Sequence, residues 1–165
     1  MLKKYPLLLF LILFFLYCGR PSTQHKQTAK LTDFTLEEIN GSKIKLSELK
    51  GKVVLVDFWA TWCPPCRTAI PHLERIYTDY KTQGLIVLGI SLDQDKEQIK
   101  TFLKNNPISY SILFGDKQIA NNYQVEAIPT LILFDKKGNM ALREVGFSEE
   151  NISNLEQKIK ELLTQ

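Results

Sequence analysis

The strongest constraint on the fold is the stretch "KVVLVDFWATWCPPC", residues 52–66, in which an almost continuous apolar run leads into two closely spaced cysteines. Apolar runs of this length are typical of strands that are buried on both faces of a sheet. After the cysteines, apolar residues recur at helical spacing as far as Tyr80, and Gly84 ends the pattern. The cysteines are therefore predicted to lie at a junction between a buried strand and a helix.

Signals for strands and helices alternate along the rest of the chain. A β-hairpin that turns at Asn40-Gly41 is predicted before the buried strand, and a second buried strand after it at residues 85–92. The later elements are a helix at 95–106, a strand at 110–114, a short helix at 116–123, two antiparallel strands within 130–147 and a last helix from Ser148. This order predicts an α/β fold, with a mixed central sheet, helices on both faces, an N-terminal β-hairpin and a central αβ insertion near 96–113.

The first eighteen residues have the composition of an export signal. Two lysines precede an apolar run of 13 residues from Tyr5 to Tyr17, whereas crossing a bilayer takes roughly 20. The run ends at Cys18, and a polar stretch follows that is typical of a flexible linker. We expect a signal segment at 1–18, a linker at 19–30 and one folded domain at 31–165.

The segment that ends at Cys18 resembles a bacterial lipoprotein signal. That resemblance implies that Cys18 is lipid-modified and becomes the first residue of the mature chain. Phe15 and Tyr17 depart from the usual signal pattern, so an uncleaved signal anchor and cleavage at another position stay open. All three alternatives place the domain outside the cytoplasm, anchored to the membrane or released on the periplasmic side of a bacterial cell envelope.

Charge and cysteine content exclude several classes of function. The formal net charge of +3 includes Lys3 and Lys4, and a chain that starts at Cys18 has 19 basic and 18 acidic residues. No basic stripe remains for nucleic acid. Three cysteines are too few for a disulfide framework. The sequence has no second CxxC, and its two histidines, His25 and His72, lack the spacing of a metal-binding pair. A non-catalytic or a copper- or zinc-binding interaction protein stays as the alternative to an enzyme.

The motif "FWATWCPPC", followed about 60 residues later by "VEAIPT", resembles the thioredoxin superfamily. The hairpin and the insertion resemble its extracytoplasmic TlpA/ResA-like branch, and the resemblance covers residues 31–165. It implies a thioredoxin-like fold and a monomeric, membrane-tethered thiol:disulfide oxidoreductase that needs no cofactor. It further implies that the protein reduces disulfides of extracytoplasmic proteins such as apocytochrome c, with electrons from a membrane thiol donor.

The dithiol has a physical basis for this chemistry. Residues three apart on a helix lie roughly 5–6 Å from each other, within reach of a disulfide, so Cys63 and Cys66 can form a redox-active pair. At the helix N-terminus the macrodipole lowers the pKa of Cys63, the expected attacker, while Cys66 is expected to be more buried and to resolve the mixed disulfide. Pro64 and Pro65 remove two backbone donors, which favours activation by the dipole. Trp62 and both prolines are expected to contact the substrate.

Asp57 interrupts the apolar run, and an isolated charge in a buried strand is costly unless it is neutralised or functional. An exposed aspartate at a strand end is the alternative. The resemblance assigns Asp57 the role of the base that takes the proton of Cys66, usually through water. The lysine that neighbours this aspartate in some thioredoxins would align near Gly89. We therefore expect a raised pKa for Asp57.

The motif Ile128-Pro129-Thr130 is the third element of the predicted site. The resemblance implies a cis peptide bond before Pro129, opposite Cys63. The backbone of Ile128 would then be free to pair with an extended substrate strand. A trans proline that starts a strand is the alternative.

Overall fold

The computed structural model describes residues 33–165, so the predicted signal segment, the linker and Cys18 lie outside the described residues. The strands are β1 (Thr35–Glu37), β2 (Lys43–Lys45), β3 (Val53–Trp59), β4 (Leu85–Ser91), β5 (Ser111–Phe114), β6 (Thr130–Phe134) and β7 (Met140–Val145). The helices are α1 (Pro64–Tyr80), α2 (Lys96–Asn105), α3 (Lys117–Asn122) and α4 (Glu149–Leu163), with 3-10 turns at Leu46–Leu49 and Lys81–Gln83. Within residues 33–165 no helix combines the length and apolar character needed to span a bilayer.

Five strands form a mixed sheet in the order β5-β4-β3-β6-β7. The central strand β3 runs parallel to β4 and antiparallel to β6, and all seven of its residues are buried. The predicted mixed sheet is confirmed. Because β3 lies at its centre, the strand that leads into the cysteines is held on both sides by hydrogen-bonded neighbours.

Helices cover both faces of the sheet, as expected. On one face, Val53, Leu55 and Trp59 of β3 belong to a cluster with apolar residues of α1, α2 and α4. On the other face, Val54, Val56 and Phe58 pack with residues of α3 and of the hairpin region. Since side chains alternate along a strand, Asp57 shares the face of Leu55 and Trp59, beneath α1.

The hairpin and the insertion lie side by side. Strands β1 and β2 pair antiparallel, and the turn between them uses Gly41 with a φ of +97°, a left-handed conformation that glycine adopts at little cost. The N–H of Ile39 donates to the carbonyl of Ile112 in β5 at 2.9 Å. The hairpin therefore attaches to the edge strand that the insertion contributes.

Candidate active site

The two cysteines lie at the amino end of α1. Cys63 is the N-cap residue, Pro64 and Pro65 occupy the first two helical positions, and Cys66 is the third. The two sulfur atoms are bonded to each other, and their Cα atoms are 5.3 Å apart, within the usual range for disulfides. The pair can therefore form a disulfide across one helical turn.

The surroundings of the Cys63 sulfur favour negative charge on it. The main-chain N–H of Cys66 donates to Sγ of Cys63 at 3.2 Å, the usual contact between an N-cap side chain and the third helical position. The partial positive charge of the helix end acts in the same direction. The second helical position, which an N-cap side chain can also reach, has no N–H because it is Pro65. One backbone N–H and the positive end of the helix dipole thus favour negative charge on this sulfur.

Burial distinguishes Trp62 from the cysteines. The Trp62 side chain is 65% exposed, whereas Cys63 and Cys66 are 3% and 1% exposed. Cys66 is the more buried of the two, as expected, but the difference is small in the disulfide form. Trp62 therefore offers a large apolar surface beside a disulfide that is almost covered.

Asp57 lies in the middle of β3, with Gly89 of β4 and Leu131 of β6 as its register partners. Its exposure is 1%, and its Oδ1 atom has no hydrogen-bond partner among the residues that the structure describes. Burial raises the pKa of Asp57 from an ordinary 3.8 to about 7. The expected direction of the pKa shift is confirmed, and the exposed alternative is wrong. A group with a pKa near 7 can exchange protons at physiological pH.

Glycine at position 89 makes room for two aromatic rings close to Asp57. A Cβ atom there would lie 3.1 Å from Nε1 of Trp59 and 3.2 Å from Cε2 of Tyr110. Tyr110 comes from the insertion, and burial, with a smaller effect of the Asp57 charge, raises its pKa well above the usual value. Trp59 is also buried, and its Nε1 has no hydrogen-bond partner among residues 33–165. The insertion therefore places Tyr110 close to Asp57, a contact that the sequence did not reveal.

The peptide bond between Ile128 and Pro129 is cis, as expected. The carbonyl oxygen of Ile128 lies 3.7 Å from Sγ of Cys63, and the carbonyl of Pro129 accepts from the N–H of Gly146 at 2.8 Å. The Ile128-Pro129 segment therefore lies directly against the predicted attacking sulfur, and the structure brings Cys63, Cys66 and Pro129 together.

Sequence reasoning missed a buried carboxylate that holds the turn before the cysteines. Asp93, which is 2% exposed, accepts hydrogen bonds from the N–H and the hydroxyl of Thr61 at 2.9 and 2.6 Å. It also accepts from the hydroxyl of Ser91 at 2.6 Å. An aspartate two residues after a buried strand, at the same sheet edge as the cysteines, was the available signal. Asp93 ties the end of β4 to the turn that precedes Trp62.

The structure offers no support for the metal-binding alternative in the part of the chain that it describes. Between residues 33 and 165, no group of three or more His, Cys, Asp or Glu side chains could hold a metal ion. His72 lies beside the ring of Phe147 and 3.8 Å from the carboxylate of Glu149, so it packs between α1 and the start of α4.

The sequence of this chain matches one protein family and is similar to two relatives that carry the same name. Residues 28–143 match a family model described as the AhpC/TSA family. The thiol-disulfide oxidoreductase ResA of Bacillus subtilis (strain 168) is 30% identical over 137 residues, which cover 82% of this chain and 75% of ResA. A ResA of Bacillus cereus is 31% identical over 153 residues, covering 90% of this chain and 87% of that relative.

Solved structures agree with this similarity. A crystal structure from Chlorobium tepidum, assigned as a thiol:disulfide interchange protein DsbE, is 36% identical with a TM-score of 0.77, covering 81% of this chain and 95% of that chain. The solution structure of a thiol:disulfide interchange protein from Bacteroides sp. is 26% identical with a TM-score of 0.68, covering 78% and 87%. Over most of its length, the chain is thus similar to proteins named for thiol–disulfide chemistry.

Proposed function

This chain belongs to the AhpC/TSA family and is a thiol–disulfide oxidoreductase of the thioredoxin-like, ResA-related type, and on that basis we propose that Cys63 and Cys66 carry out its reaction. The observation that carries the proposal is the Cys63–Cys66 disulfide at the amino end of α1. The helix end and the Cys66 N–H stabilise a thiolate on Cys63. Cys63 is therefore the attacking residue and Cys66 the resolving residue.

The reaction moves two electrons and two protons from the dithiol to a target disulfide. The Cys63 thiolate attacks one target sulfur, the target S–S bond breaks, and a mixed disulfide forms while the other target sulfur leaves as a thiolate. The deprotonated Cys66 then attacks Sγ of Cys63, forms the intramolecular disulfide and releases the second target thiolate. Protonation of both target thiolates completes the exchange.

Asp57 is the proposed base that takes the proton from Cys66. Both residues belong to the same side of the sheet, since Cys66 packs with Leu55 and Trp59 and Asp57 alternates with these residues on β3. A pKa of about 7 lies closer to that of a thiol than an ordinary aspartate does, which makes the proton transfer easier. Asp57 therefore acts as a proton acceptor that burial has made more basic.

The proposed substrate surface surrounds the Cys63 sulfur. It consists of the exposed Trp62 ring, Pro64 and Pro65, and the segment Ile128-Pro129. A substrate cysteine that binds to Cys63 must lie beside Ile128, whose backbone can pair with an extended chain. Pairing with the substrate backbone depends little on the substrate sequence, so we expect side chains next to this surface to supply selectivity.

We place the protein outside the cytoplasm of a bacterial cell, tethered to the membrane by a lipid on Cys18 or by an uncleaved N-terminal segment. The domain would begin near residue 31, after a flexible linker at 19–30. Mass spectrometry of the membrane-bound wild-type protein should show a chain that begins at Cys18 and carries a lipid. A membrane-bound protein that keeps residues 1–17 and carries no lipid would favour an uncleaved anchor.

The proposed direction is reduction, with electrons from a membrane thiol donor and with targets such as the cysteines of apocytochrome c. Its support is the similarity to the relatives named ResA. A Cys66→Ala variant keeps the attacker but lacks the resolver, so it should accumulate mixed disulfides with its targets in cells. Identification of the trapped proteins tests the target class, and recovery of unrelated proteins alone would overturn it.

Insulin reduction in the presence of dithiothreitol tests the enzymatic claim. The wild-type protein should accelerate the precipitation of insulin chains, whereas Cys63→Ser and Cys66→Ser variants should not. Equal rates with wild-type and Cys63→Ser protein would exclude the proposed role of this pair.

A further inference from the structure

An open cavity lies beside the dithiol, between α1 and the inserted helix α2. Its volume is about 570 Å³, and its walls combine apolar residues such as Pro64, Pro71 and Phe102 with polar ones such as Arg67, Thr68 and Glu74. Pro64 directly follows Cys63, so the cavity begins next to the predicted attacking residue. A substrate bound to Cys63 can therefore extend into it.

Arg67 provides the positive charge in the lining of this cavity. Its guanidinium lies over the ring of Phe102, 5.8 Å from the ring centroid, and it forms no ion pair among residues 33–165. The other charged residue of the wall, Glu74, accepts hydrogen bonds from the N–H and the hydroxyl of Ser109 at 2.7 and 2.8 Å. A molecule that enters the cavity thus meets the Arg67 guanidinium, which has no ion-pair partner among the described residues, and the Glu74 carboxylate, which already accepts two hydrogen bonds.

The helix places Arg67 within reach of a substrate attached to Cys63. The N–H of Arg67 donates to the carbonyl of Cys63 at 3.1 Å, and helical residues four apart have Cβ atoms roughly 5–6 Å apart on the same face. An extended chain advances roughly 3.3–3.6 Å per residue. A side chain two or three residues from the reacting substrate cysteine can therefore reach the guanidinium.

We propose that Arg67 is a specificity residue that binds a carboxylate on the substrate polypeptide, two or three residues from the reacting cysteine. A planar guanidinium can bind both oxygens of a carboxylate at once, which gives geometric selectivity as well as attraction. The guanidinium packs against the ring of Phe102, a residue of the central insertion. The inference rests on the proposed function, since it requires a substrate bound to Cys63.

The test uses short peptides that each contain one cysteine as a mixed disulfide with thionitrobenzoate. Paired peptides differ only by Glu or Gln at one to four positions on either side of the cysteine. The second-order rate constant of the reduced enzyme with each peptide is followed by release of the coloured thiol. That thiol is the better leaving group, so Cys63 attaches to the peptide cysteine.

For Glu two or three residues from the cysteine, the wild-type protein should react about three- to tenfold faster with the Glu peptide than with the Gln peptide at low salt. The ratio should fall at high salt because screening weakens exposed charge pairs. In Arg67→Gln it should fall to about one, and in Arg67→Glu below one. A wild-type ratio near one at every position, or a ratio that survives in Arg67→Gln, would overturn the proposal.

Lys104→Gln is the matched control, because Lys104 is an exposed cation on α2 that does not line the cavity. It should keep the wild-type ratio, and a loss as large as that in Arg67→Gln would mean that net charge alone sets the preference. The ratio cancels any effect of Arg67 on the cysteines themselves. Failure of the wild-type protein to react with any peptide would overturn the proposed function, whereas equal rates with all peptides would overturn only the role of Arg67.

Discussion

Asp57 and Cys63 lie a few residues apart in the chain, but different physical effects tune their proton affinities. Burial in an apolar environment raises the pKa of Asp57 to about 7. Cys63 instead lies at a helix end, where the N–H of Cys66 and the helix dipole favour its thiolate. The base therefore depends on desolvation, while the nucleophile depends on backbone geometry.

Replacement of Asp57 by asparagine should slow the resolving step by about 100-fold or more near neutral pH, because general bases contribute this much to proton transfer. In the wild-type protein the rate of this step should rise through about pH 7, since Asp57 accepts a proton only when it is ionised. The variant should lose this inflection. Stopped-flow measurement of mixed-disulfide decay across about pH 6 to 9 checks the prediction.

A variant with wild-type decay rates over the whole pH range would rule out the base role. Asp93→Asn provides a comparison, because it also replaces a buried carboxylate near the site. The Asp93→Asn substitution should act by shifting the turn at Thr61, whose N–H and hydroxyl donate to Asp93.

The proline at the second helical position should limit activation of Cys63. A Pro65→Ala substitution restores an N–H that an N-cap side chain can accept from, so the pKa of Cys63 in the reduced protein should fall by up to about one unit. Pro64→Ala is the control, because an N-cap side chain does not reach the first helical position. Ultraviolet absorbance of the thiolate as a function of pH measures both. Equal pKa values in the wild-type and Pro65→Ala proteins would mean that the missing N–H at the second helical position does not limit activation.

The residues that sequence could identify are those whose type conflicts with their surroundings. Asp57 interrupts an apolar run and the cysteines stand at its end, so both were visible without a structure. Asp93 looked like an ordinary polar residue in a loop. Its function as the acceptor for Thr61 arises only because the ends of β3 and β4 lie side by side.

At the scale of elements, β3 and α1 followed from hydrophobic patterning, and the hairpin followed from its Asn-Gly turn. The packing of the insertion did not. Tyr110 precedes β5, and its ring lies on the Asp57 face of the sheet, in the space that the missing side chain of Gly89 leaves. Such contacts depend on the three-dimensional path of a long connection, which no local pattern encodes.

A Gly89→Ala substitution should destabilise the protein by about 1–3 kcal/mol, because the added Cβ atom overpacks a tight site. That atom would lie 2.8 Å from Cδ1 of Ile112 and close to the rings of Trp59 and Tyr110. Urea denaturation of the oxidised protein measures the loss. An Ile112→Val change removes the closest atom, so the double variant should lose less stability than the two single variants add up to.

Additive losses in that double-mutant cycle would show that Ile112 is not the source of the overpacking. A Gly89→Ala protein with wild-type stability would show that the packing around Asp57 is looser than the structure indicates.

At the scale of the whole molecule, Glu156 of α4 joins the first and last helices. Its carboxylate accepts hydrogen bonds from Arg75 and Tyr80 of α1 and pairs with Lys160 of its own helix. The hydrogen bond from Arg75 is the main cause that lowers the pKa of Glu156 from 4.5 to about 2. Since the folded protein binds this proton less tightly, Glu156 stabilises the fold above the ordinary glutamate pKa and loses this effect as the pH falls towards 2.

Replacement of Glu156 by glutamine should cost about 1 kcal/mol at neutral pH, a modest value because Arg75 is half exposed and water screens the pair. The difference from the wild-type protein should shrink between about pH 5 and 2. Urea denaturation at several pH values checks this, with Glu161→Gln as a control whose partner, Lys158, lies on the same helix. A difference that stays constant down to about pH 2 would contradict the linkage.

In the proposed reaction, Cys63 attacks the target disulfide and Cys66 resolves the mixed disulfide. The most direct test is mass spectrometry, after reaction with a disulfide-containing peptide, of reduced variants that carry Cys18→Ala and keep only one cysteine of the pair. Cys66→Ala should form one stable adduct, located on Cys63, and Cys63→Ala should react far more slowly because Cys66 lacks the N-cap position. Adducts that form equally fast in both variants, or faster on Cys66, would contradict these roles of the two cysteines.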